Sequence, residues 1–167
     1  MLSRTTIWNG NNVIPPKLFD CVSPGVYRSN RFSKENFSFI EAIGLKYIVY
    51  VGNNDVGDEI EKFAESHSIT LISLFDVHPV LPDDWKPISD DTVKRALEIV
   101  KNPKNFPVLL MCKDGIGKTG TVVGCLRRLQ NWCFTSIIQE YRRLASSSSN
   151  VTAAELYIEL FTPELVN

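Results

Sequence analysis

Cys112-Lys113-Asp114-Gly115-Ile116-Gly117-Lys118-Thr119-Gly120 follows directly on the apolar run Val108-Leu109-Leu110-Met111. The pattern reads as a buried strand, a glycine-bearing loop and the start of a helix. A thiol then stands at the mouth of a loop whose successive N–H groups, from Lys113 to Lys118, form a nest for an anion. The positive end of the following helix favours a thiolate over a thiol. Gly115, Gly117 and Gly120 let the backbone turn and approach a ligand closely, and Thr119 can donate its hydroxyl to the sulfur. These are the parts of cysteine-dependent phosphoryl transfer, with Cys112 as nucleophile and the loop amides and Lys118 holding the phosphate.

The elements around the loop must bring it to a sheet edge where ligands bind. Residues 46–51 and 69–75 read as buried strands by their β-branched and aromatic content, and 107–111 is a third. Gly25-Val26-Tyr27-Arg28 reads as a turn into a short strand. Helical spacing runs over residues 34–43, with Gly44 at the stop, and again over 59–66. Ser89-Asp90-Asp91 caps a helix in which Val93, Ala96, Leu97 and Val100 fall at i, i+3, i+4 and i+7, and Asn102-Pro103 ends it. Further helices are expected over 118–131, 135–145 and 152–161. Strands alternating with helices predict an α/β fold with a central, mostly parallel sheet of four or five strands flanked by helices. Ligands lie beyond the carboxyl ends of such strands, which is where Cys112 falls.

The chain of 167 residues, 44% of them hydrophobic, suits a single domain. Residues 14–167 form that domain in this reading, and 1–13, polar and unpatterned, form a flexible lead. Eighteen basic against 19 acidic residues leave no overall field for nucleic acid or an anionic membrane. No segment approaches the ~18 consecutive apolar residues of a membrane span, and the N-terminus lacks the apolar stretch of a secretory signal. A cytoplasmic location follows by default, with the nucleus as its variant. Cys21, Cys112, Cys125 and Cys133 form no CxxC pair, and His67 and His78 have no metal-type spacing to them, so neither a metal nor an organic cofactor is expected.

Two other readings compete for the same loop. Gly117-Lys118-Thr119 also ends a Walker A motif, but counting back puts Cys112 where that motif has glycine. The other is a purely structural strand-to-helix turn with an idle cysteine.

Motifs along the chain carry a further signal: Pro15-Pro16 with Phe19, Val26-Tyr27-Arg28-Ser29, Asn36-Phe37 with Phe39, and Leu45-Lys46 with Ile48. After the loop come residues 123–130 with Trp132, then Thr135-Ser136-Ile137 and Glu140-Tyr141-Arg142. With these the chain resembles the plant and fungal atypical dual-specificity phosphatases, a group that includes the fungal Oca proteins and phosphatases acting on inositol pyrophosphates. The similarity runs over about residues 14–161. It implies the cysteine-phosphatase fold and a phosphocysteine intermediate, with phosphotyrosine, a phosphoprotein or an inositol (pyro)phosphate as substrate. It also implies an assembly with related phosphatase-like chains.

Active members of that group carry His-Cys-Lys-x-Gly-Lys-x-Arg-[Thr/Val]-Gly. Here Met111 replaces the histidine, Ile116 a lysine and Lys118 the arginine, while Asp114 and Gly117 stand at positions often basic. Lysine in place of a bidentate arginine forfeits one charge-assisted hydrogen bond, roughly 1.5–3 kcal/mol. An Asp114 carboxylate ~6 Å from a phosphate charge would repel it by about 3 kcal/mol at an effective dielectric near 20. The resemblance places a general acid after the strand at 69–75, where Asp76, Asp83 and Asp84 lie; spacing to the cysteine favours Asp83. Arg28 and Trp85 are candidates for the pocket rim. The expected function is a cysteine-dependent phosphatase of weakened activity. Its rival is a catalytically impaired relative that binds phosphate or a partner protein.

Overall fold

The computed structural model describes residues 6–8, 11–75, 85–145 and 151–166. Its centre is a five-stranded sheet built from β3 (Asp20–Ser23), β4 (Val26–Asn30), β5 (Tyr47–Gly52), β6 (Thr70–Phe75) and β7 (Val108–Cys112) in the spatial order β3-β4-β7-β5-β6. β4, β7, β5 and β6 run parallel, and β3 pairs antiparallel with β4 at one edge. The five strands match the expected count. The edge hairpin is an addition, because Asp20-Cys21-Val22-Ser23 is too short and polar to show a strand pattern. Residues 1–13, expected as a flexible lead, contain β1 (Thr6–Trp8) and β2 (Asn11–Val13), paired as an antiparallel ribbon.

β7 is the middle strand, and each of its five residues is buried. Alternation along the sheet splits the core into two layers. Val26, Val49, Val51, Val108 and Leu110 face one side. There they meet α3 (Asp90–Val100), α4 (Gly117–Leu129), α5 (Phe134–Ala145) and α6 (Val151–Leu160). Ile48, Tyr50, Leu109 and Met111 face the other, against α1 (Phe37–Ile43) and α2 (Asp58–Ser66). By this alternation Cys112 continues the Val108–Leu110 face, toward α4.

Local signals explain where the helices begin and end. Ser89 caps α3 by accepting a hydrogen bond from the Thr92 amide, and Val93, Ala96, Leu97 and Val100 are all buried. α1 stops at Gly44, whose φ of 68° is the left-handed region that glycine tolerates. Among the described residues no helix is long and apolar enough to cross a membrane.

Candidate active site

β7 delivers Cys112 to the carboxyl end of the sheet, with Asn30 of β4 beside it in register. The chain then turns through residues 113–116 into α4. Gly115 makes that turn feasible: its φ is 73°, and a Cβ there would sit 2.6 Å from the Asn30 backbone nitrogen. From below, Arg28 Nη2 donates to the Gly115 carbonyl at 2.7 Å. With that carbonyl held, the amides beyond it face the loop's concave side.

One carboxylate oxygen occupies that concavity. Asp114 Oδ1 accepts from the Ile116 amide at 2.9 Å and from the Gly117 amide at 3.3 Å. The Cys112 thiol donates to the same oxygen at 3.1 Å. An anionic oxygen therefore lies within hydrogen-bonding distance of the sulfur, held by loop amides at the start of α4. Asp114 as a whole is nonetheless exposed.

The contact shapes both titrations. Burial pushes the Cys112 thiol up, and the neighbouring Asp114 charge adds to the shift. Thr119, fully buried, works the other way through its hydroxyl and amide. Burial alone would raise the Asp114 carboxyl. Its bonds from the Ile116 amide, the Cys112 thiol and the Gly117 amide outweigh that effect and hold it below the usual carboxylate range.

Above the loop opens a cleft of about 300 Å³, lined by Cys112, Lys113, Asp114, Gly117 and Lys118. Its opposite wall is Tyr50 with the turn after β5, including Asn53 and Asn54. Sequence reasoning missed that wall. The rule that parallel sheets bind at their carboxyl ends, applied to β5 as well as β7, points to it. Tyr50 is 2% exposed; burial raises its hydroxyl, while the Arg31 charge and hydrogen bond oppose the rise.

Two rim assignments need correction. Arg28 is 3% exposed and lies beneath the loop, because Val26, Arg28 and Asn30 alternate onto the α4 face. Burial lowers its guanidinium from the ordinary value, and Cys112 is first among the groups opposing that. Trp85 does not line the Cys112 cleft. It is 42% exposed, with its ring centroid 6.4 Å from that of Tyr157, in a separate groove near the end of α6. Met111 is fully buried on the sheet face opposite Cys112. Asp76, His78, Asp83 and Asp84 lie outside the described residues. Among the described residues no three His, Cys, Asp or Glu side chains gather as a metal-binding group.

Three arginines on α4 and α5 form ion pairs. Arg127 is buried, bonded to Glu140 at 3.0 and 2.9 Å and to the Val22 carbonyl at 2.7 Å, with Trp132 against its guanidinium. Arg142 pairs with Glu155, and Arg143 with Asp20.

The description "tyrosine phosphatase family" belongs to a family model that matches residues 13–167. The chain belongs to the tyrosine phosphatase family. It is 44% identical to the probable tyrosine-protein phosphatase DG1060 of Dictyostelium discoideum, over 92% of this chain and 90% of that one. It is 37% identical to the inositol diphosphatase DSP3 of Arabidopsis thaliana, over 87% of this chain and 70% of the relative. The crystal structure of the core catalytic domain of the PP-IP phosphatase SIW14 from S. cerevisiae, in complex with citrate, superposes with a TM-score of 0.81 at 34% identity, covering 92% of this chain and 91% of that one. The resemblance to the plant and fungal atypical dual-specificity phosphatases thus holds, and the fold is the cysteine-phosphatase fold. Family membership takes the Walker A reading away: here Gly117-Lys118-Thr119 opens α4, with Thr119 buried.

Proposed function

We propose that this chain is a cysteine-dependent phosphatase of weak activity that hydrolyses phosphate monoesters or anhydrides through a Cys112 phosphocysteine. One observation carries the reading: the loop amides of Ile116 and Gly117 hold an anionic oxygen 3.1 Å from Cys112 Sγ. A phosphate oxygen in that place would put phosphorus within reach of the sulfur.

In the reaction the Cys112 thiolate attacks phosphorus in line. The S–P bond forms as the bond to the leaving oxygen breaks, and that oxygen takes a proton from a carboxyl group. Water, giving a proton back to that carboxylate, then attacks the phosphocysteine; the S–P bond breaks, releasing phosphate and restoring the thiolate. Loop amides and Lys118 receive the charge of the equatorial oxygens, and Thr119 stabilises the sulfur as it leaves. Asp83, with Asp76 as its alternative, is the proposed proton donor, on sequence spacing alone. The names of the relatives support phosphotyrosine or an inositol (pyro)phosphate as substrate class. Lys113 and Lys118 at the cleft suit either.

A second reading is favoured by the same contact seen from the other side. With Asp114 bound to the thiol and Cys112 pushed up, the nucleophile rests protonated. Lys118 also lacks the planar fork of arginine. The chain would then bind phosphate or a protein partner, within an assembly of related chains, without turning over.

Hydrolysis of a small aryl phosphate by wild type, Cys112→Ser and Lys118→Arg separates the two. The proposal expects wild-type turnover that Cys112→Ser abolishes and Lys118→Arg raises about ten- to a hundredfold, the value of one charge-assisted bond. Wild type no faster than Cys112→Ser, with Lys118→Arg active, identifies a disabled phosphatase. Silence in all three variants, with phosphate still raising the melting temperature, identifies a binder.

A further inference from the structure

Two of the loop amides that a substrate phosphate needs are already engaged. Ile116 N–H, at the cap position of α4, and Gly117 N–H, its first amide, both point at Asp114 Oδ1. Locally this is the side-chain-to-backbone bonding by which aspartate satisfies the free amides at a helix start. The Cys112 thiol, bonded to the same oxygen at 3.1 Å, makes it more than a cap. The nucleophile's proton and the oxyanion subsite are held together by one carboxylate.

We propose that Asp114 is a built-in competitor for the oxyanion cup: its carboxylate closes the cup in the resting protein, and it must turn out into the cleft before a phosphate can bind. This rests on the reading of the loop as a phosphate site.

The surroundings make such a swing feasible. Asp114 lines the 300 Å³ cleft. Its other oxygen, Oδ2, is 4.0 Å from where a Cβ on Gly117 would stand, so no side chain at that position blocks its exit. The scaffold does not depend on the carboxylate for its shape, because Arg28 bonds the Gly115 carbonyl from below and Gly115 is fixed against Asn30. The cup therefore persists when the aspartate leaves. Lys113 and Lys118 stand at the same cleft, where an outward-turned carboxylate meets positive charge.

Occupancy of this kind weakens every external oxyanion by the fraction of time the cup is open. The carboxylate is charged and bonded to two amides, but solvent reaches its other side and screens it. If the inward carboxylate is favoured by about the net value of one hydrogen bond, the open fraction is on the order of 10% and the penalty on phosphate affinity about tenfold. The penalty is separate from the missing arginine: Lys118→Arg strengthens what holds the phosphate, whereas removing Asp114 empties the place where it sits.

The test is titration of inorganic phosphate into wild type, Asp114→Ala and Asp114→Asn by calorimetry at neutral pH. Asp114→Ala should bind phosphate about tenfold more tightly than wild type. Asp114→Asn, which keeps an acceptor oxygen but not the charge, should fall between them. Should Asp114→Ala fold poorly for want of its cap, the asparagine variant carries the comparison, and a phosphate-induced rise in melting temperature larger than that of wild type is expected. A second readout is alkylation at Cys112, followed on its peptide by mass spectrometry because Cys21 and Cys133 are exposed. The rate with anionic iodoacetate relative to neutral iodoacetamide should rise severalfold in both variants as the cup becomes free to seat a carboxylate. Phosphate binding equal within twofold in all three proteins, with an unchanged alkylation ratio, overturns the competitor while leaving the phosphate cup intact. Absence of phosphate binding in all three, with normal melting, overturns the cup itself and the competitor with it.

Discussion

Arg28 offers the sharpest check on how the loop is held. Its guanidinium is 3% exposed and donates to the Gly115 carbonyl at 2.7 Å, while its Nε has no protein acceptor among the described residues. Arg28→Met removes a hydrogen bond from a charged donor and strands a buried carbonyl, together a loss of about 2–4 kcal/mol. Against that, methionine ends the burial of a charge and the unmet Nε, a relief of about 1–2 kcal/mol. The net expectation is destabilisation by about 0–3 kcal/mol, centred near 1.5, which at that centre is roughly 3–6 °C in melting temperature for a domain of this size. The same substitution removes the positive charge that opposes Cys112 protonation from beneath. Because Cys112 acts on Arg28 in that sense, Arg28 acts on Cys112 reciprocally, and its loss moves the thiol further up. Thermal melts, paired with the pH profile of iodoacetamide alkylation at Cys112, read both effects. Arg28→Lys should restore much of the alkylation profile, since charge is retained, but less of the melting temperature, since the fork is not. An Arg28→Met protein that melts within 1 °C of wild type and keeps its alkylation profile would refute the claim that Arg28 organises the loop.

Two further outcomes test the packing and the buried thiols. Gly120→Ala puts a Cβ 2.6 Å from the Tyr141 ring, on buried surfaces of α4 and α5; a loss of about 1–3 kcal/mol in chemical denaturation is expected, and a neutral effect would mean the helices are not in close contact there. Stability should also fall as pH rises above the ordinary thiol range. Burial raises Cys112 and Cys125, and pushes Tyr141 up to about 12. The unfolded chain releases these protons first, so stability is fully present below about pH 8.5 and is lost toward each folded value, at about 1.4 kcal/mol per pH unit for each thiol. Cys125→Ala should flatten that slope by about half between pH 9 and 10, and a melting temperature constant over that range would contradict the burial.

The strands and helices legible in the sequence are those whose side chains meet one dominant environment. β5 and β7 are buried on both faces and read as apolar runs. α3 shows its buried stripe at helical spacing and a capping serine in front of it. β3 was not legible, because four residues with an aspartate at one end and a serine at the other carry no period; its pairing is imposed by β4 through the turn at Gly25. Arg28 was misplaced for a related reason. A charged residue on a short strand suggests an exposed end, yet the alternation of Val26 and Arg28 puts both on the α4 face, where a backbone carbonyl offset the cost of burial. At the site, the place of Cys112 at the carboxyl end of β7 and the turn from it into α4 follow from strand, glycine loop and helix. The aim of Asp114 does not. A carboxylate two residues after the cysteine can point to solvent or fold back on the amides ahead of it, and only the geometry of the turn selects between them.

That selection exposes a conflict built into this class of loop. A helix start leaves amides without partners, and such amides gain from any nearby acceptor. A phosphate site needs the same amides unengaged. In this chain Asp114 meets the first demand; on the proposed reading it does so at the expense of the second, and Lys118 then weakens the hold on a phosphate that does arrive. The two changes act on different stages, entry to the cup and stabilisation inside it, so their effects on turnover need not be equal or overlap. If they are independent, Asp114→Ala and Lys118→Arg combine by multiplying their rate gains, as additive free energies require. If the inward carboxylate instead owes its place to the absence of arginine, Lys118→Arg alone draws it out, and the double variant gains little over that single change. Steady-state hydrolysis of an aryl phosphate by the four proteins of this cycle decides whether Asp114 and Lys118 act on turnover independently or as one unit.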